Sequence, residues 1–157
     1  MFFLLVLHLV VGIGIIAMGR TLGRQAFVVA AIAPLATLLW AASKAQVVLD
    51  GEPVTESFVW IPQLGIDIDL RLDAFALLMV AVISGIGLLI CIYSLGYFSH
   101  DKPGLARLAG VLVLFAGAML GVVLSDQLIA LFIFWELTSI TSYLLIGNDD
   151  TNPRARA

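Results

Sequence analysis

The chain has 157 residues, of which 62% are hydrophobic and 12% charged, with a formal net charge of -3 and a mean hydropathy of +1.11. A soluble domain carries about 45–50% apolar and roughly 25% charged residues, so this composition excludes an ordinary soluble fold and indicates an integral membrane protein. The single cysteine, Cys91, lies in an apolar run, which excludes an intrachain disulfide and reads as a small buried hydrophobe.

A helix needs about 20 mostly apolar residues to cross a hydrocarbon core of about 30 Å. The first such stretch runs from about Phe2 to Gly19. No basic residue precedes it and no small-x-small cleavage site follows, so it does not read as a signal peptide. His8 stands in it with no second polar residue one turn away, the pattern of a packed or interfacial histidine. The second stretch runs from Ala26 to Ser43.

A long loop is expected from Lys44 to Asp73. Within it Ser57-Phe58-Val59-Trp60-Ile61 leads to a Pro62-Gln63-Leu64-Gly65 turn. Ile66, Ile68, Leu70 and Leu72 then alternate with Asp67, Asp69, Arg71 and Asp73. Period-2 alternation bounded by Pro and Gly predicts a β-hairpin over about 57–73 with one wet face. Its apolar face must lie on protein or on the membrane interface, as a cap on the helix ends without chemistry of its own.

Three more spans follow, from Ala74 to Phe98, Leu108 to Leu124 and Leu128 to Gly147. The expected fold is an all-α membrane protein, a single domain over residues 1–157 with five transmembrane helices and an external β-hairpin between helices 2 and 3. The glycines of Gly12-Ile13-Gly14, Gly85-Ile86-Gly87 and the Gly117–Gly121 pair allow close helix packing.

Loop charges orient this bundle. Arg20, Arg24, Lys102, Arg107, Arg154 and Arg156 fall on one side, and only Lys44 and Arg71 on the other. The positive-inside rule makes the first side cytoplasmic, with the N-terminus outside and the C-terminus inside. No metal-ligand cluster, phosphate-binding Gly-rich loop or nucleophile–base pair is apparent, so neither a cofactor nor a resident metal is expected. Basic residues scattered in ones and twos at membrane edges argue against nucleic acid as a partner.

Glu136 is the acidic residue that falls well inside a span. It lies eight residues past the start of the fifth stretch, about 12 Å into the core. A charged carboxylate there costs about 3 kcal/mol by insertion scales, so it is expected to face the bundle or a hydrated cavity. Desolvation and nearby cations pull its proton affinity in opposite directions, which suits proton exchange near neutral pH. At about 100° per residue, Ser139 and Tyr143 share its side of the helix, and Thr138 and Ser142 extend the polar arc. Thr138 and Thr141 are expected to bond back to their own helix; Ser139 and Tyr143 are candidates for a hydrated proton path.

The run LFIFWELTSITSYLLIG, preceded by LGVVLSDQL, resembles the A-type subunits of the Mrp-type multisubunit sodium/proton antiporters. That family is related to the antiporter-like membrane subunits of complex I and of membrane hydrogenases. WIPQLGIDIDLRLDAFA is similar to the family's external hairpin and the start of its third helix. IYSLGYFSHD is similar to the end of that helix, and DDTNPRARA to the segment leading into a sixth. The resemblance implies a proton-pathway role for Glu136, paired with a lysine on a later, discontinuous helix. It also implies a fold of two inverted five-helix repeats, of which this chain would hold an N-terminal piece.

The resemblance further implies a multi-pass protein in the plasma membrane of a prokaryote, part of a secondary active transporter and not an enzyme. Its expected partners are the other antiporter subunits, the lipid bilayer, protons and a monovalent cation. Two alternatives use the same residues: a proton-pumping subunit of a complex I-like or membrane-hydrogenase complex, and an assembly scaffold without transport of its own.

Overall fold

The computed structural model describes residues 1–64, 66–98 and 104–147, with the side chains of all of these except Arg20, Leu64 and Ile66. Gly65 of the expected turn, the basic loop residue Lys102 and the polar tail with Arg154 and Arg156 lie outside the described residues. In chain order the elements are α1 (Phe2–Ala17), α2 (Gly19–Leu22), a 3-10 turn, α3 (Ala26–Ala30) and α4 (Ile32–Leu49). Then come β1 (Val54–Ile61), β2 (Ile66–Leu72), α5 (Ala74–Tyr97), α6 (Leu105–Leu124) and α7 (Leu128–Ile146).

Four helical segments among the described residues are long and apolar enough to cross a membrane: Gly23–Leu49, Ala74–Tyr97, Leu105–Leu124 and Leu128–Ile146. Helix α1, with 16 residues, is a shorter apolar helix. At 1.5 Å per residue it spans about 24 Å, and α2 turns off after Met18.

Helix α4 runs six residues beyond the expected end at Ser43. Ala45, Gln46 and Leu49 are good helix formers, and Val48 is buried in the core beside Leu70 and Leu72. The expected loop therefore begins at Asp50, whose N–H still donates to the Gln46 carbonyl. At the other end of this span, Pro34 has no N–H to offer the Ala30 carbonyl, and the helix is interrupted at Ala31.

The hairpin is antiparallel, with Val54 opposite Leu72 and Phe58 opposite Ile68. A register shift between Val59 and Ile61 inserts Trp60 as an extra residue. Leu70 and Leu72 are fully buried against Met1, Leu5, Ala41, Val80, Leu120 and Leu124. The apolar face of the strand thus lies on protein. The Asp126 N–H donates to the Asp69 carbonyl at 2.8 Å, which ties the hairpin to the α6–α7 connection. The Met1 amino group pairs with Glu56, and this hydrogen bond holds the Glu56 carboxyl below the usual carboxylate range.

Helix α6 is the central element, packed against α1, α5 and α7. Its approach to α1 depends on glycine: a Cβ on Gly110 would stand 2.7 Å from the Gly12 carbonyl oxygen and 2.6 Å from Ile16 Cγ1. Two apolar cores result. One, with Leu70, Leu72, Val80 and Leu120, lies at the hairpin end; the other, with Phe27, Ala30, Cys91 and Ala109, lies at the opposite end.

Two helices that leave the hairpin end have side-chain caps. The Asp73 carboxylate accepts from the Ala76 N–H at 2.9 Å at the start of α5. Replacing Asp73 by Ala removes that acceptor and is expected to cost about 1 kcal/mol. Faster hydrogen exchange at Ala76 and a small drop in melting temperature are the readouts.

Candidate functional site

Glu136 lies on α7, which starts at Leu128. The α7 start is fixed by Gln127, whose side chain accepts from the Ala130 N–H at 3.1 Å. That cap, and the Asp126–Asp69 link beside it, set how far along the helix Glu136 falls. The polar triplet Ser125-Asp126-Gln127 ahead of an apolar run is the sequence signal for this start, although Gln is not among the favoured N-caps.

Helix α7 packs on the rest of the chain through one narrow face. Ala130 and Thr141 are buried, Phe134 lies against Gly121, and Phe134, Leu137 and Thr141 line a groove with Phe2, Leu5 and Gly117. These positions recur at i, i+4, i+7 and i+11, one side of a helix. Glu136, Ser139 and Tyr143 each follow one of them by two residues, a turn of about 200°. They accordingly lie on the opposite side, and all three are exposed.

Of the two expected settings, the bundle or a hydrated cavity, the carboxylate does not take the first among the described residues: it faces away from the packed side of α7. The exposed side of α7 is otherwise apolar, with Phe132, Trp135 and Ile140 all more than half exposed. Ile140, one turn after Glu136, lies on the same exposed side.

The polar arc divides into two parts. Thr138, Ser139 and Ser142 line a groove of about 390 Å³ between α6 and α7, together with Trp135, Phe115, Met119, Val122 and Val123. Glu136 and Tyr143 lie beyond its edge. The Thr138 hydroxyl donates to the Trp135 carbonyl at 2.6 Å, and Ser139 reaches the same oxygen at 3.4 Å. Thr141 donates to the Leu137 carbonyl at 2.7 Å. These back-bonds use hydroxyl hydrogens within the helix and leave each hydroxyl oxygen able to accept a hydrogen bond.

His8 is 1% exposed, with Nδ1 2.8 Å from the Leu4 carbonyl oxygen. It is a packed residue of α1 against Gly117 of α6. Among the described residues no group of three or more His, Cys, Asp or Glu side chains could hold a metal ion.

A bundle of apolar helices, four of their segments long and apolar enough to cross a membrane, capped by a short hairpin, has the form of a multi-span membrane protein. Residues 59–107 match the family model for the NADH-ubiquinone oxidoreductase (complex I) chain 5 N-terminus, and the chain belongs with the antiporter-like membrane subunits of that family. Within it, the chain is homologous to the A-type subunits of the Mrp-type sodium/proton antiporters. It is 43% identical over 114 residues to the A1 subunit of the Na(+)/H(+) antiporter of Staphylococcus aureus strains JH9 and Newman, covering 73% of this chain and 14% of each relative. The chain therefore spans about one-seventh of the length of these curated relatives.

Solved structures agree. The Mrp complex from Dietzia sp. DQ12-45-1b aligns with a TM-score of 0.66 and 29% identity, over 96% of this chain and 16% of that one. The membrane-bound sulfane sulfur reductase, an archaeal respiratory membrane complex, aligns with a TM-score of 0.78 and 22% identity, over 98% and 31% of the two chains, and shares the fold.

Proposed function

We propose that the chain is part of a multisubunit cation/proton antiporter, with sodium as the exchanged cation, in which Glu136 binds and releases a proton during translocation. The observation that carries this reading is the position of Glu136, midway along α7 on the side that no other helix covers among the described residues. A carboxylate in that position needs a counter-charge or water to remain ionised in a membrane, and α7 leaves that side open to one supplied from outside this sequence. In this reading the partner is a lysine on another segment, α1 completes a set of five spans, and the basic loops are cytoplasmic with the N-terminus outside.

Protonation of Glu136 neutralises it and releases the attraction on its partner; deprotonation restores the pair. Ser139 and Tyr143 on the same side, with Thr138 and Ser142 along the groove, hold water that connects the carboxylate to its proton source. Each hydroxyl is expected to contribute modestly. Tyr143→Phe and Ser139→Ala should each lower exchange by about two- to tenfold, the scale of one hydrogen bond. A proton flux assay at fixed sodium in the full assembly reads this.

The decisive experiment is Glu136→Gln in the full assembly, assayed as sodium-dependent pH change in everted vesicles. Normal exchange in that variant would sink the proposal. A second reading, a proton-pumping subunit of a redox complex, is favoured by the complex I chain 5 match over residues 59–107. Flavin and iron–sulfur absorbance in the purified complex would select it over antiport.

A further inference from the structure

Two buried side-chain polar atoms have no hydrogen-bond partner among the described residues: His8 Nε2 and Ser84 Oγ. His8 and Ser84 are each 1% exposed, and Thr37 is 0% exposed. All three are buried polar residues of the helices, on α1, α5 and α4 respectively.

Helix contacts place them at similar heights. Gly117 of α6 lies against His8, where a Cβ would stand 2.6 Å from the His8 Cβ. Gly87 of α5 lies against Pro34 of α4, with a corresponding separation of 3.7 Å. One turn from that contact toward the hairpin brings Thr37 and Ser84 level in these antiparallel helices. Ile83, next to Ser84, and Ala116, next to Gly117, line one cavity between α5 and α6, which sets Ser84 within about a turn or two of the level of Gly117 and His8.

The donor and acceptor pattern is complementary. Nδ1 of His8 donates to the Leu4 carbonyl, which leaves Nε2 as an acceptor. Thr37 and Thr141, also buried, donate to carbonyls four residues back. Ser84 does not, so its O–H is free to donate elsewhere. An unpaired acceptor and an unpaired donor buried at similar heights are the conditions under which proteins retain an internal water.

We propose that a water molecule is held inside the bundle between His8 Nε2 and Ser84 Oγ, accepting from the serine hydroxyl and donating to the imidazole. This site is separate from the groove beside Glu136: it lies among α1, α4, α5 and α6. It adds a hydrated point at mid-depth in a helix bundle that is otherwise closed by apolar packing.

The test is a density map of the full assembly at a resolution that shows waters, combined with thermal melting. An ordered water within hydrogen-bond distance of both atoms is the expected result; a direct His8–Ser84 hydrogen bond or an empty gap overturns the proposal. Ser84→Ala should lower the melting temperature, and should lower it less in a His8→Leu background, because the water has then lost its second partner. A hydroxyl without a partner in a dry core gives the opposite sign, since removing it relieves an unsatisfied group. An unchanged or raised melting temperature in Ser84→Ala would therefore also overturn the site.

Discussion

Glu136→Gln is expected to reduce sodium-dependent proton exchange by about 100-fold or more, the scale of losing a positioned proton-transfer group. Glutamine keeps the size and the hydrogen-bonding capacity of the side chain but neither takes up a proton nor carries the charge. Glu136→Asp keeps the titrating group and withdraws it by one methylene, so partial exchange should remain. The substitution should leave abundance of the assembly unchanged. Glu136 is exposed on α7 and contributes nothing to the packed face of Ala130, Phe134, Leu137 and Thr141. A variant that lost protein and transport in equal proportion would instead favour a scaffold role.

The largest stability effect is expected at the α1–α6 crossing. Gly110→Ala would put a methyl 2.7 Å from the Gly12 carbonyl oxygen and 2.6 Å from Ile16 Cγ1. Backbone oxygen has no rotamer through which to yield, so the two helices must separate. Overpacking of this kind costs about 1–3 kcal/mol, and at this crossing it should loosen the contacts that α6 makes on both sides. Gly14→Ala on the same helix as Gly12 is the control, because nothing lies within 4 Å of its added Cβ. Melting of the purified assembly should separate the two variants clearly.

Much of the architecture is legible in the sequence because apolar runs and alternation have direct physical causes. The β2 pattern of Ile68, Leu70 and Leu72 against Asp67, Asp69 and Arg71 predicts a hairpin with one apolar face, and Leu70 and Leu72 form part of the core. Element ends are less legible. Lys44 and Gln46 read as loop, yet the burial of Val48 holds the helix through Leu49. The start of α6 at Leu105 follows Gly104, which adopts φ 81°, a backbone turn that sequence polarity alone does not reveal.

The facing of Glu136 is least legible. A membrane helix is apolar on all sides, so periodicity does not tell which side packs. The side is chosen by small residues and aromatics on the neighbour, here Gly121 receiving Phe134. The same holds for His8, whose tight seat against Gly117 depends on the register of α1 on α6. The depth of Glu136 follows from counting residues; its direction needed the packing.

Difference infrared spectroscopy of the full assembly across a pH jump tests the proton-binding role most directly. A protonated-carboxyl stretch should appear as pH falls, and should vanish in Glu136→Gln with the rest of the spectrum retained. An identical carboxyl difference signal in that variant would contradict the assignment of proton exchange to Glu136.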